Sequence, residues 1–134
     1  MIRPISYLAA LCLSSGAFAN RVIYTDGSYP VFATSPDIPI VYLDAPDRVQ
    51  RGIFGSLPTD PVQAEKQVRK LIASPTFKLQ QLQLAAAYQG VMKSWSLGLE
   101  KYPAVVFDDK WVVYGTTDID VATQQFTLWR KTNQ

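Results

Sequence analysis

The stretch Tyr102-Pro103-Ala104-Val105-Val106-Phe107, followed by Asp108-Asp109-Lys110 and then Trp111-Val112-Val113-Tyr114-Gly115, constrains the fold of this chain more than any other. A proline heads an apolar, β-branched run, a polar turn follows, and a second run of the same kind closes it. That pattern reads as a β-hairpin entered through a proline. Two earlier runs have the same character. Arg21-Val22-Ile23-Tyr24-Thr25 is rich in β-branched and aromatic residues, and Ile40-Val41-Tyr42-Leu43 is apolar throughout, as a strand covered on both faces would be. Four such runs exclude a helix-only fold.

The segments between them set the rest of the order. Asp26-Gly27-Ser28 is turn chemistry, and Pro30, Pro36 and Pro39 leave no room for a long helix before Ile40. Residues 44–59 are interrupted by Pro46, Gly52, Gly55 and Pro58, and read as an irregular connection with at most one helical turn at Arg48–Arg51. Ile53, Phe54 and Leu57 are expected to tuck under the domain. Asp60-Pro61-Val62-Gln63 then carries an N-cap, a first-turn proline and a capping-box partner. The helix it starts runs to about Ala73, with Ala64, Val68, Leu71 and Ile72 as its apolar stripe. Ser74-Pro75 opens a second helix that places Phe77, Leu84, Tyr88, Val91, Trp95 and Leu99 near one face and stops at Leu97-Gly98. Gly90 in its middle costs about 1 kcal/mol relative to Ala; either close packing against a neighbour justifies it or its presence is an accident of sequence. Thr117 or Asp118 caps a last helix with Ile119, Ala122, Phe126 and Trp129 on one face. The expected order is β-β-α-α-β-β-α, an α/β fold with a four-stranded mixed sheet.

Length and composition bound the function. A chain of 134 residues holds one small domain. Its first 19 residues read as a signal peptide: Arg3, an apolar run from Ile5 to Leu13, and the small-x-small site Ala17-Phe18-Ala19. That run is too short to span a bilayer, and cleavage after Ala19 leaves a single domain over 20–134, located in the periplasm and without stable membrane insertion. Cys12, the single cysteine, lies inside the leader, and Leu11 before it does not suit lipidation. The mature chain then has neither cysteine nor histidine, which excludes thiol–disulfide chemistry, Ser-His-Asp and Cys-His catalysis, and ordinary zinc ligation. Loss of Arg3 leaves twelve basic against eleven acidic side chains, a net charge of +1 that gives no support for nucleic-acid binding.

The order of elements resembles the thioredoxin fold. In glutaredoxin-like and thioredoxin-like proteins the first strand runs into a Cys-Pro-x-Cys motif, and a cis-proline opens the third strand, which pairs with the fourth. A glycine then leads into the last helix. Here Tyr29-Pro30-Val31-Phe32 resembles the motif, with Tyr29 and Phe32 in the cysteine places. Tyr102-Pro103 resembles the cis-proline site, and Gly115 the helix-entry glycine. The first helix of that fold is much shortened here. The whole mature chain also resembles a small family of integrating-conjugative-element proteins from mobile type IV secretion clusters, akin in character to the TrbC/TraW pilus-assembly proteins. The residues that carry the likeness include Val41-Tyr42-Leu43-Asp44, Leu57-Pro58-Thr59-Asp60-Pro61, Ala87-Tyr88-Gln89-Gly90, the run from Leu97 to Asp108, and Val113 to Asp118. The resemblance implies other conjugation-apparatus proteins as partners, and neither a reaction nor a cofactor.

The candidate site is therefore a protein- or peptide-binding one, formed by Tyr29, Pro30, Tyr102 and Pro103, with Trp111 as an exposed anchor on the edge strand. Tyr29 either lines a groove or fills the core, and Phe32 is expected in the core. Asp108-Asp109 is read as a solvated turn and Asp118 and Asp120 as a cap and first-turn acid, leaving no metal site. The alternative to a conjugation role is a general peptide-binding or chaperone-like module of the periplasm, without redox activity.

Overall fold

A computed structural model describes residues 20–32 and 35–133. The signal-peptide reading falls on residues 1–19, outside those described. The elements are β1 (Arg21–Thr25), β2 (Ile40–Tyr42), α1 (Ala45–Phe54), α2 (Pro61–Ala73), α3 (Pro75–Ser96), β3 (Ala104–Phe107), β4 (Trp111–Tyr114) and α4 (Ile119–Thr132). They form a mixed α/β structure on one four-stranded sheet of order β2-β1-β3-β4. β1 and β2 run parallel, with Tyr24 opposite Val41. β3 runs antiparallel to both β1 and β4, with Val105 opposite Ile23 on one side and Val113 on the other.

The hairpin forms as its sequence demands. Asp108 and Asp109 both take positive φ, 54° and 52°, and the Lys110 amide donates to the Phe107 carbonyl at 3.0 Å. That is the primed geometry whose twist matches antiparallel strands, and aspartate tolerates it better than most side chains. All four residues of β3 are buried, each large side chain contributing roughly 1.5–3 kcal/mol by leaving water.

Strand alternation sorts the core into two faces. On one, Ile23, Val105 and Phe107 pack with Ile38 and with Ile119, Ala122 and Phe126 of α4. Phe107 and Phe126 stack with ring centroids 4.7 Å apart. The start of α4 is fixed by Asp118, whose side chain accepts from the amides of Asp120 and Val121. On the other face lies α3, and there Gly90 meets Val41 of β2.

Four expectations are corrected. Residues 45–54 form a full ten-residue helix, α1, so the order is β-β-α-α-α-β-β-α. Pro46 sits in the first turn, where its missing N–H costs nothing. Gly52 faces open space, and Gly55 ends the helix. Ile53 is buried, and the Asp44–Arg48 ion pair of 3.3 Å spans the first turn. Second, β2 ends at Tyr42, one residue short of Leu43. Third, Phe32 is not in the core but 91% exposed. Fourth, Trp95 is 74% exposed and Tyr88 is partly exposed, because α3 turns its small residues inward: Ala87 and Gly90 are half-buried and Ser94 is buried; Trp129 of α4 is about half exposed. Asp60 and Ser74 cap α2 and α3 as expected, Asp60 accepting from the Val62 amide and Ser74 from the Thr76 amide.

Candidate functional site

The register of the sheet determines which loops meet. Tyr24, Ala104 and Tyr114 lie side by side on β1, β3 and β4, so the residues after Tyr24, before Ala104 and after Tyr114 emerge at one end. Those residues are Thr25 to Phe32, Tyr102-Pro103, and Gly115 to Thr117. Four of the five candidate residues, Tyr29, Pro30, Tyr102 and Pro103, therefore share one end of the sheet.

Hydrogen bonds hold this end together. The buried Thr25 hydroxyl donates to the Tyr29 carbonyl at 2.7 Å, and the Tyr29 amide donates to the Asp26 carbonyl at 3.2 Å. Asp26 also accepts from the Ser28 amide, and Asp44 from the Gly27 amide, which pins the turn to the start of α1. The Thr117 hydroxyl donates to the Pro30 carbonyl at 3.3 Å, tying the loop after β1 to the entry of α4. The Gly115 amide donates to the Pro103 carbonyl at 2.8 Å, and Gly115 takes a φ of 94°, a backbone conformation that favours glycine. The Tyr102–Pro103 peptide bond is cis. Pro103 is buried, while the Tyr29 and Tyr102 side chains are about half exposed, at 49% and 50%. Phe32 and Tyr114 are exposed nearby in the same loops and strand end. The result is a display of partly exposed aromatic rings on a braced backbone.

Trp111 does not join them. It pairs with Phe107 at the opposite end of β3, and its ring lies 5.2 Å from Trp129 and 6.0 Å from Phe126. Lys110 covers it from the turn at 4.9 Å. Trp111 is a half-buried cap on the α4 face.

A concavity of about 590 Å³ lies between the sheet and α3, lined among others by Val22, Tyr24, Val41, Gly90, Lys93 and Asp109. Lys93 and Asp109 pair across its rim at 3.0 Å. Burial pushes the Tyr24 phenol above its ordinary pKa, and the Asp109 carboxylate adds to the effect. Asp108 accepts from the Asn20 amide at 3.3 Å. Both turn acids are thus engaged, and among the described residues no three His, Cys, Asp or Glu side chains gather as a metal site.

Sequence reasoning found the aromatic–proline pairs but missed Thr25 and Thr117, the two hydroxyls that hold the loop. A threonine ending a strand and one preceding a helix cap carry no signal that they will meet the same distant segment. A model of the family described as protein of unknown function (DUF1525) matches residues 18–132. No curated protein and no solved structure matches the chain.

Proposed function

The chain belongs to the DUF1525 family, and from that premise we propose that it is a non-catalytic, thioredoxin-like periplasmic protein of an integrating conjugative element. In this reading it aids assembly or stability of the type IV secretion apparatus through protein–protein contacts. The observation that carries the proposal is the braced, exposed aromatic end of the sheet. Tyr29 and Phe32 occupy the places that resemble the two cysteines, and they stand exposed in the loop that Thr117 ties to the entry of α4. A redox pair would need sulfur there; two exposed rings beside Tyr102 offer contact area instead.

Strand order supports the thioredoxin likeness. A parallel β1–β2 pair sits beside an antiparallel β3–β4 hairpin in the order β2-β1-β3-β4; no helix lies between β1 and β2 among the described residues, a departure from that fold. The leader-like start of the sequence supports export, and no helix among the described residues is long and apolar enough to cross a membrane. The resemblance to conjugative-element proteins supplies the apparatus as partner.

Deleting the gene from a donor strain that carries the element tests the role. Transfer frequency is expected to fall, and to be restored by the wild-type gene but not by a Tyr29→Ser/Phe32→Ser/Tyr102→Ser variant. Normal transfer and normal pili in the deletion strain would refute it. Crosslinking from Tyr29 that captures mixed unfolded clients, rather than pilus or channel subunits, would favour the general chaperone reading instead.

A further inference from the structure

α2 has thirteen residues and none is buried. Helices shorter than about 12–15 residues are marginal in water unless a face is packed. Its inner side, Ala64, Val68 and Leu71, is only half covered. Its outer side carries Val62, Glu65, Arg69 and Ile72 at spacings of three, four and three, so all four share one exposed face. The start of α3 adds exposed Leu79 and Leu82 and exposed Lys78.

Charge is segregated onto this arm. Residues 61–96 hold Lys66, Arg69, Lys70, Lys78 and Lys93 against the single acid Glu65, while the rest of residues 20–133 holds ten acids against seven bases. Lys93 is taken by Asp109 and Arg69 by Glu65. Lys66, Lys70 and Lys78 make no ion pair among the described residues.

We propose that the α2–α3 arm is a docking surface for a different protein, one that presents an apolar strip flanked by acidic side chains. The inference rests on the reading of this protein as a partner-binding module, and it names the surface and the chemistry of the partner. Charge complementarity selects that occupant. A bilayer is disfavoured because the Glu65–Arg69 pair, at 2.8 Å, sits between Val62 and Ile72 and would have to be taken into lipid with them. A second copy is disfavoured because the acids of this chain are largely engaged at home. Asp60 and Asp118 cap helices, Asp44 and Asp109 are paired, and Asp26 and Asp108 accept backbone amides.

The test uses the purified protein and a synthetic amphipathic helix with leucine at helical spacing and glutamate on its flanks, beside the same peptide with lysine for glutamate. Hydrogen exchange follows the α2 amides. The acidic peptide is expected to bind, to slow exchange across α2 and to weaken with salt, and the lysine peptide to do none of these. Lys66→Glu/Lys70→Glu is expected to weaken binding about tenfold. Lys66→Gln/Lys70→Gln, which keeps good helix formers, separates a lost contact from a melted helix and is expected to weaken binding less. Equal binding of both peptides, or α2 protection produced by phosphatidylglycerol vesicles or by self-association at high protein concentration, would overturn the proposal. If the acidic peptide fails while deletion still impairs transfer, the arm is wrong and the conjugation role stands. If the peptide binds as expected and deletion is silent, the conjugation role falls and the surface stands.

Discussion

A Cβ built on Gly90 of α3 would lie 2.7 Å from Cγ1 of Val41 on β2. The helix thus approaches the sheet as closely as an absent side chain permits, and Val41, being β-branched, has little freedom to yield. Gly90→Ala sets two effects against each other. The helix gains about 1 kcal/mol of propensity, and the contact is overpacked at a cost of about 1–3 kcal/mol. A net loss of up to about 2 kcal/mol is expected from urea denaturation. In a Val41→Ala background the clash disappears and the same substitution should stabilise by about 0.5–1 kcal/mol. That reversal of sign is the decisive reading, and a destabilising Gly90→Ala in both backgrounds would locate the glycine's role elsewhere.

The cleft beside that contact makes stability sensitive to alkali. Burial first, and the Asp109 carboxylate second, raise the Tyr24 phenol above its ordinary pKa of 10.0. The folded state therefore retains a proton that the unfolded chain gives up, so stability falls with rising pH once the unfolded phenol ionises. The contribution is complete below about pH 10 and is lost as pH climbs through the folded value. Denaturation midpoints measured across this range should decline in the wild type and decline less steeply in Tyr24→Phe. In Asp109→Asn, phenolate absorbance of the folded protein should rise at lower pH.

Sequence was most informative where chemistry is local. The caps at Asp60, Ser74 and Asp118 and the primed turn at Asp108-Asp109 each act within a few residues, and the elements they bound were legible. It failed at α1, where Pro46, Gly52 and Gly55 count as breakers by type but fall at a first turn, an open face and a helix end. It failed on α3 for the opposite reason. Large apolar residues drew the stripe through Tyr88 and Trp95, whereas contact with the sheet is made by Gly90, with Ser94 also buried, which have almost no hydrophobic weight. The 22 residues of α3 span about 33 Å, at 1.5 Å per residue, far beyond any four-residue strand. Much of its apolar surface therefore has no sheet to cover. At the candidate site, the residue types were readable and their tethers were not.

The aromatic stack on the α4 face is expected to dominate stability. Phe126 is 3% exposed and touches Phe107, Trp111 and Trp129. Phe126→Ala should cost about 3–5 kcal/mol, a large part of the margin of a domain this size. Trp129→Ala, at the open end of the same stack, should cost clearly less. Urea denaturation orders the two, and tryptophan fluorescence should change in both because Trp111 loses a ring neighbour either way. Equal costs would mean that Trp129 is more deeply packed than its exposure indicates.

Two hydroxyls, one on β1 and one in the loop before α4, brace the loop that bears Tyr29 and Phe32, and their removal separates loop order from fold stability. Thr25→Val keeps the buried shape but deletes the 2.7 Å bond to the Tyr29 carbonyl, and about 1 kcal/mol of stability should go with it. Thr117→Val deletes the longer, exposed bond to Pro30, and global stability should move by no more than about 0.5 kcal/mol. Both variants should speed hydrogen exchange in residues 26–32 relative to β3, since each frees one end of the same segment. If the aromatic display is the functional surface, Thr117→Val should also lower conjugative transfer while denaturing at almost the wild-type urea concentration. Faster exchange with unchanged transfer would show that partner contact does not depend on how this loop is held.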